Sequence, residues 1–275
     1  MTPKYTIALI TYFDILGFQD MVKTKPEAEI YNLLMHFKNT SKSDEKEMKE
    51  YSRSYNYFSD TIVRSVNVLS EANRRRPDGI LFNELYDPLY IINDLILKGV
   101  LIRGSVTIGP IFNENDIFFG PGVITAYDLE RKAIYPRIIV DSIIVKTLNI
   151  INSKGEMRKN ASDLSRNLFY LLSSNTNTLI DEKNFILKML KKGRDNVWFV
   201  DYLGALASEY DEIYEFSLFL NQHKLLVEKG IRSKLKNSHV LEKYLWLRRY
   251  HNTYVSQLVA HDKQFSRLLI NEIPI

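Results

Sequence analysis

The sequence predicts a mixed α and β fold over its first half and a mainly helical second half. Apolar, β-branched runs bounded by turn residues alternate with segments of helical periodicity up to about residue 145. From residue 142 onward, long apolar patterns contain few glycines, which is typical of helices. The 275 residues, 45% of them hydrophobic, suffice for one large packed domain or for a domain with a substantial appendage.

Composition excludes several function classes. The formal charge is only +4, with 37 basic and 33 acidic residues interspersed, so we expect no nucleic-acid partner. There is no cysteine, which excludes disulfides, zinc-thiolate sites and thiol catalysis, and favours a reducing, cytoplasmic location. No apolar run is long enough to cross a bilayer. The mixed-charge run at 41–50 and the arginines at 74–76 are interpreted as solvated segments.

The first predicted strand covers residues 6–13, which are apolar and β-branched. Asp14 follows at once, and Gly17 allows a tight turn. An acid beside a buried strand has left the core, caps a helix or holds a cation. Taken alone, Asp14 is best interpreted as the N-cap of a short helix over residues 15–22.

The next elements are a helix, a strand pair and a second helix. Apolar residues at helical spacing over 30–37 predict an amphipathic helix after Pro26. Aromatic and β-branched residues over 55–66 predict two strands around a turn that holds Asp60. Asp87-Pro88 predicts the N-terminus of a second core helix that ends before Gly99.

The remaining predictions rest on glycine and turn signals, followed by helical periodicity. They are a strand hairpin over 101–119 with its turn at 113–116, a helix over 120–132 after Gly120, strands over 137–141 and 195–202, and helices over 205–229 and 240–258. Aromatics on the last helix, including Tyr244 and Trp246, are expected to pack a core or a dimer seam rather than to stack on bases. The five histidines show no metal-ligand spacing.

Two carboxylates at turns are the candidate chemistry. If the first strand lies beside the hairpin, Asp14 and Asp60 face one another at one edge of the sheet. Two bare carboxylates about 4 Å apart repel by roughly 4 kcal/mol at an effective dielectric near 20. A divalent cation relieves that repulsion, and oxygen ligands without cysteine or paired histidine favour Mg²⁺ or Mn²⁺ over zinc.

Four motifs together carry a resemblance. They are residues 12–18 (YFDILGF), 58–60 (FSD), 103–110 (RGSVTIGP) and the glycine-led helix from 120 to 130. This set resembles the catalytic core of the class III nucleotidyl cyclases over about residues 5–145, half of the chain. The first motif and the spacing of the two aspartates are the more specific signals.

The resemblance implies an α+β fold: a ferredoxin-like palm with a mostly antiparallel sheet flanked by helices. It implies a palm domain over 1–145 and a helical extension over 146–275 that packs on it. Asp14 and Asp60, with Ile15, would hold two Mg²⁺ or Mn²⁺ ions. The backbone of Ile15, Leu16, Gly17 and Phe18 would cradle the triphosphate. Family members build each site across a head-to-tail dimer, so a homodimer is implied.

This chain departs from the common cyclases at the base and ribose positions. Where those enzymes carry a purine-reading Lys or Glu, it offers only the strand residues Tyr55, Asn56, Tyr57 and Ser59. Where a helix usually supplies Asn and Arg, it has Ile124 and Asp128. The arginine role then falls to Arg103, Arg131 or Arg137; alternatively, Arg103 only pairs with a carboxylate.

The function implied is that of a nucleotidyl cyclase, a phosphorus-oxygen lyase that converts a nucleoside triphosphate to a 3′,5′-cyclic mononucleotide and pyrophosphate. Weak purine signals make the chain similar to the pyrimidine cyclases of bacterial anti-phage (Pycsar) systems, whose product activates a separate effector. UTP or CTP would be the substrate. The alternatives are a degenerate cyclase-like dimer that binds nucleotide or scaffolds a partner, and a palm-type dinucleotide or oligonucleotide synthase.

Overall fold

The computed structural model describes residues 4–42, 53–70, 79–233 and 237–272. It is a mixed α+β fold in which helices flank an eight-stranded, mostly antiparallel sheet. Most of the mixed-charge run and the arginines at 74–76 lie outside the described residues. No helix in the described ranges is long and apolar enough to cross a membrane.

The strands are β1 (Thr6–Ile15), β2 (Arg53–Phe58), β3 (Thr61–Asn67), β4 (Ile102–Glu114), β5 (Ile117–Phe119), β6 (Ile138–Val140), β7 (Leu190–Lys192) and β8 (Trp198–Val200). The helices are α1 (Phe18–Thr24), α2 (Glu27–Ser41), α3 (Ile80–Leu97), α4 (Pro121–Lys132), α5 (Ser142–Asn149), α6 (Asp163–Phe169), α7 (Thr176–Met189), α8 (Tyr202–Leu206), α9 (Ile213–Ser233) and α10 (Ser238–His261). A 3₁₀ helix over Lys263–Leu268 follows α10.

The sheet has the order β2-β3-β1-β4-β6-β8-β7, and β5 pairs with the far end of β4. β1 is antiparallel to both β3 and β4, and β4 pairs in parallel with β6. The predicted strand hairpins and the strand beside Trp198 are therefore confirmed. Because β8 and β7 continue the sheet beyond β6, strands from the second half of the chain belong to the same sheet as β1.

The two faces of the sheet are covered differently. One face carries the main core, where Phe13 of β1 packs edge to face on Phe37 of α2. The opposite face carries a smaller cluster closed by α4. Gly109 and Gly122 make that approach possible, since a Cβ on Gly109 would lie 2.8 Å from the Gly122 Cα. Consequently α4 lies directly on β4.

The second core helix begins earlier than predicted. Asp87-Pro88 does not open it, because α3 starts at Ile80 and runs through Pro88. A proline inside a helix leaves the carbonyl four residues earlier without its amide donor. Here that carbonyl, Glu84 O, accepts a hydrogen bond from Arg64 Nη2 at 3.2 Å. A side chain from β3 thus satisfies the group that the proline leaves unpaired.

Two further differences concern the second half. The helix predicted over 205–229 is interrupted: α8 ends at Leu206 and α9 begins at Ile213. Strand β7, at residues 190–192, has no counterpart in the sequence prediction, because two of its three residues are lysines. The helix predicted over 240–258 is confirmed as α10.

Candidate active site

Asp14 lies inside β1, next to its C-terminal end, and it is opposite Thr61 of β3 and Arg103 of β4. Its Oδ2 accepts from Arg103 Nε at 3.1 Å, and Arg103 Nη2 also lies 3.1 Å away. Thr61 Oγ1 donates to the Asp14 Oδ1 at 3.5 Å. The expectation that Arg103 pairs with a carboxylate is confirmed.

The alternative in which Asp14 caps a helix over 15–22 is wrong. Strand β1 continues to Ile15, and α1 begins only at Phe18. Gly17 is the residue before it, with a φ of 79°, and no side chain caps the helix. Gly17 thus makes the predicted tight turn. The Asp14 carboxylate stays near the C-terminal end of the central strand β1 and caps no helix.

Asp60 follows Ser59 in the turn that joins β2 to β3. Ser59 has a φ of 55°, in the left-handed region that non-glycine residues rarely adopt. Burial, and then the charge of Asp60, raise the pKa of Asp14 to about 6. Because Asp14 is opposite Thr61, the residue after Asp60, the turn that holds Asp60 lies beside the end of β1 that holds Asp14.

Glu130 is a site residue that sequence reasoning missed. It projects from α4 with Gly122 and Ala126, at intervals of four residues, and all three are buried. Arg103 Nε contacts Glu130 Oε1, which still lacks a hydrogen bond among the described residues. Burial is the main cause that raises the pKa of Glu130. The four-residue spacing of two small residues and an acid was the available signal.

Lys243 of α10 is the second missed residue. Its pKa is lowered by burial and by the charge of Arg103, and it is raised in turn by Asp14 and Glu130. The Lys243 ammonium group therefore interacts electrostatically with Asp14 and Glu130, although Lys243 lies on a helix about 230 residues after Asp14 in the chain. No local sequence pattern around residue 243 predicts this position.

The other two candidate arginines differ in position. Arg131 follows Glu130, is exposed, and lies over the ring of Tyr127 at 5.7 Å. Arg137 is buried at the start of β6, where its guanidinium pairs with Asp195. The ring of Trp246 lies 5.5 Å from the Arg137 guanidinium carbon. The Arg137 side chain therefore packs between Asp195, which precedes β8, and Trp246 of α10. The structure does not bring it to Asp14.

The three candidate residues of β2 separate onto two faces. Tyr57 pairs with Ile62 and Asn56 with Val63, so alternation places Asn56 on the Asp14 face and the tyrosines on the other. Tyr55 and Tyr57 stack at 6.3 Å, and burial raises the pKa of Tyr57 to about 12. The Asn56 Nδ2 is buried and has no hydrogen-bond partner among the described residues. Ser59 is exposed in the turn.

The predicted triphosphate cradle, residues 15–18, surrounds the tight turn. Leu16 N donates to Leu101 O at 2.8 Å, so this amide is already bonded within the protein. Gly17 O accepts from Asp20 N at 3.0 Å. The Leu16 amide is therefore not free to bind a phosphate, and the predicted cradle would depend on the turn at Gly17 and Phe18.

The chemistry of the Asp14 edge fits a small divalent cation. Two carboxylates in mutual repulsion offer hard oxygen ligands. Within the described ranges, no group of three or more His, Asp or Glu side chains is arranged to hold a metal ion. A cation at Asp14 and Asp60 would complete its shell with the Ile15 carbonyl, water and substrate phosphate, which is the mixed coordination that Mg²⁺ commonly takes.

No family model matches this sequence, and no curated protein matches it. Solved structures do match in fold. The adenylyl cyclase CyaB from P. aeruginosa aligns with a TM-score of 0.39 and 14% identity, over 51% of this chain and 79% of that one. An adenylate/guanylate cyclase/hydrolase from Silicibacter pomeroyi aligns with a TM-score of 0.39 and 14% identity, over 72% and 98%. A guanylyl cyclase domain from Blastocladiella emersonii gives 0.36 and 14%, over 50% and 81%.

Proposed function

We propose that this chain is a metal-dependent nucleotidyl cyclase that converts a nucleoside triphosphate into a 3′,5′-cyclic mononucleotide and pyrophosphate. The observation that supports it best is the meeting of Asp14 and Asp60 at one sheet edge, directly before the Gly17 turn. A carboxylate of raised pKa beside a second carboxylate and a tight turn suits a bound cation and a polyphosphate better than it suits a structural role.

In this proposal each residue has a defined task. The ribose 3′-oxygen bonds to the α-phosphorus, the bond to the β-phosphate oxygen breaks, and the hydroxyl proton leaves to solvent. The cation, when bound, lowers the pKa of that hydroxyl and offsets charge on the departing pyrophosphate. Asp14 and Asp60 hold the cation, and Arg103 turns from Asp14 toward the phosphates. The Arg103 side chain is 25% exposed, so part of it already faces solvent.

A pyrimidine base is favoured by an amide group of β2 that lies on the Asp14 face without a described partner. The Asn56 amide nitrogen has hydrogen-bond donors that no described residue uses. An amide donor suits the O2 carbonyl that uracil and cytosine share. UTP or CTP is therefore the proposed substrate, and the product would act as an anti-phage signal through a separate effector.

A homodimer is proposed because apolar side chains remain uncovered on α4 and β5. Ile124 of α4 is 63% exposed, and Phe119 of β5 and Tyr127 of α4 are also exposed. Such clustering on one face is typical of an interface. In a dimer this surface would meet a second copy.

The deciding experiment is a panel of the four nucleoside triphosphates with Mn²⁺ at high protein concentration, with products separated by chromatography. We expect cyclic UMP or cyclic CMP and pyrophosphate from wild type. Asp14→Ala and Asp60→Ala should each reduce turnover by at least about 100-fold while the protein stays folded. Asp211→Ala, at an exposed aspartate outside the candidate site, is the matched acidic control. Four unchanged triphosphates would sink the proposal.

A second candidate is a cyclase-like dimer that binds nucleotide without turnover. It is favoured by Ile124 and Asp128, which are exposed on α4 and offer neither amide nor guanidinium. Calorimetry would find nucleotide binding with Mn²⁺ in the absence of product. A dinucleotide or oligonucleotide synthase is the third candidate, and the same chromatography would identify its longer products.

A further inference from the structure

Arg103 lies between two acids, and its hydrogen bonds serve only one of them. Its Nε donates to Asp14 Oδ2 at 3.1 Å, and its Nη2 lies 3.1 Å from the same oxygen. Arg103 Nε also contacts Glu130 Oε1, yet that oxygen has no hydrogen-bond partner in the part of the chain that the structure describes. The contact with Glu130 is therefore an ion pair without an aligned hydrogen bond, and Glu130 is the acid left unsatisfied.

Glu130 is held close to Arg103 by the packing of α4 on β4. Ser105 follows Arg103 by two residues, so both side chains lie on the same face of β4. The Ser105 Oγ donates to Ala126 O at 2.6 Å, and Glu130 follows Ala126 by about one helical turn. The Glu130 side chain is only 3% exposed. Its missing donor must therefore come from the protein, and Arg103 Nε is already in contact with it.

A cation at Asp14 would change which acid Arg103 serves. It would take the Asp14 oxygen that the guanidinium now uses, and the two positive charges would repel each other. The Nε–H group could then donate to Glu130, the second acid that it contacts. A buried acceptor without a donor is costly, so an acceptor that gains its bond when the cation binds makes that binding more favourable. Glu130 thus favours the cation-bound arrangement through Arg103.

The same change would orient the guanidinium for a phosphate. Nη2 of Arg103 now lies against Asp14 and would be released when a cation takes that oxygen. A guanidinium that is held through its Nε keeps its terminal nitrogens for another anion, and its planar geometry suits two parallel hydrogen bonds to phosphate oxygens. Glu130 would then hold one side of the guanidinium while the other side faces the substrate.

We propose that Glu130 is a positioning residue of the candidate site, which receives Arg103 when a divalent cation takes Asp14 and so couples cation binding to the orientation of the Arg103 guanidinium toward a polyphosphate. This rests on the proposed function, because it requires that Asp14 bind a cation. Glu130 contacts neither the cation nor the substrate in this arrangement. Its effect passes through Arg103, so removal of Arg103 should remove it.

The test is a double-mutant cycle on Mn²⁺ binding by the full chain, measured by calorimetry and by the electron paramagnetic resonance signal of free Mn²⁺. Glu130→Gln keeps the shape of the side chain and removes its charge. We expect it to weaken Mn²⁺ binding by about tenfold, a change of about 1.4 kcal/mol. In the Arg103→Gln background the same substitution should change the affinity by less than about twofold. Glu212→Gln, at an exposed glutamate before α9, is the control.

Tripolyphosphate reports on the orientation of the guanidinium. Titrated in saturating Mg²⁺, it should bind more weakly to Glu130→Gln than to wild type, and equally to Arg103→Gln and the double variant. Tripolyphosphate affinities that do not differ between wild type and Glu130→Gln would overturn the inference. Thermal unfolding verifies that each variant folds. Glu130→Leu, whose apolar side chain suits a buried position, repeats the cycle as a second variant.

The outcomes separate this inference from the proposed function. Equal Mn²⁺ affinities of wild type and Glu130→Gln overturn the inference and leave the cyclase proposal intact. An effect of Glu130→Gln that persists in the Arg103→Gln background also overturns it, because Glu130 then acts on the cation through its own charge. Coupling through Arg103 without any cyclic product from wild type supports the inference and contradicts the cyclase proposal. A wild-type chain that does not bind Mn²⁺ contradicts both.

Discussion

Two ionic clusters lie on opposite faces of the β2–β3 hairpin, and they are built in opposite ways. The closed cluster comprises Arg53, Arg64, Glu84 and Asp87. The open cluster comprises Asp14, Asp60, Arg103 and Glu130, with Lys243 beside it. Both use residues of the sheet together with a helix, which is α3 in the first and α4 in the second.

The clusters differ in balance. In the closed cluster, Glu84 lies 2.6 Å from Arg53 and 2.8 Å from Arg64, and Asp87 lies 3.0 Å from Arg64. Two acids meet two guanidinium groups, so the charges balance, although the Arg64 Nε has no hydrogen-bond partner among the described residues. In the open cluster Asp14 and Glu130 share the one guanidinium of Arg103, and burial and the charge of Asp60 raise the pKa of Asp14. Satisfied charges hold the hairpin in place, and unsatisfied ones at its tip remain available for chemistry.

The largest expected effect comes from breaking the closed cluster. Glu84→Gln leaves two buried guanidinium groups without their main partner, which should lower the free energy of unfolding by about 3–5 kcal/mol. Urea unfolding monitored by circular dichroism measures the loss. The folded fraction should still bind nucleotide, because Glu84 does not contact the open cluster. Glu212→Gln, at an exposed position, is the control and should change little. A cost as small as the control's would mean that the two clusters do not differ in this way.

Ionisation of Asp14 in the open cluster should lower the stability of the folded state. Its pKa is raised from 3.8 to about 6, so the folded state binds more protons than the unfolded state between those values. The contribution of Asp14 to stability therefore falls as the pH rises from about 4 to 6 and then levels off. The total is about 3 kcal/mol, at about 1.4 kcal/mol per pKa unit. Asp14→Asn should lose this dependence, so its stability relative to wild type should rise from pH 4 to pH 7. A relative stability that stays flat across that range contradicts the assignment.

Arg103 should compete with a cation for Asp14. Its guanidinium contacts the same Asp14 oxygen through two nitrogens. Arg103→Gln removes that positive charge, so we expect Mn²⁺ to bind about tenfold more tightly, a change of about 1.4 kcal/mol. Turnover should fall in the same variant because phosphate contacts are lost. Arg166→Gln, whose guanidinium in wild type bonds Lys159 O, is the control. Weaker Mn²⁺ binding in Arg103→Gln would show that Arg103 helps to build the cation site instead.

Features that local sequence decides could be predicted, whereas features that contacts between distant parts of the chain decide could not. The β1 strand, the Gly17 turn and the Asp60 hairpin are local patterns, and antiparallel pairing then brings the two aspartates together. The four-residue spacing could have marked the buried stripe that holds Glu130. Its pairing with Arg103 and the position of Lys243 could not be predicted, because helix packing across the sheet and along α10 decides them. The start of α3 was misjudged because Asp87-Pro88 resembles a cap, whereas Arg64 satisfies the carbonyl that Pro88 leaves free. Asp195, the partner of Arg137, is likewise set by a distant strand pairing.

The smallest expected effect concerns the tip of the hairpin. Ser59 has a φ of 55°, where a side chain costs about 1–2 kcal/mol that glycine avoids. Ser59→Gly should raise the free energy of unfolding by about 0.5–1 kcal/mol, after the larger chain entropy of glycine is deducted. Asn115→Gly, with a φ of 53° in the β4–β5 turn, is the matched control and should gain less, because asparagine tolerates this region. If Ser59→Gly is more stable but turns over more slowly, the strained serine serves to aim Asp60. If it is more stable and equally active, the turn is needed only for the chain reversal, and the position of Asp60 follows from β3 alone.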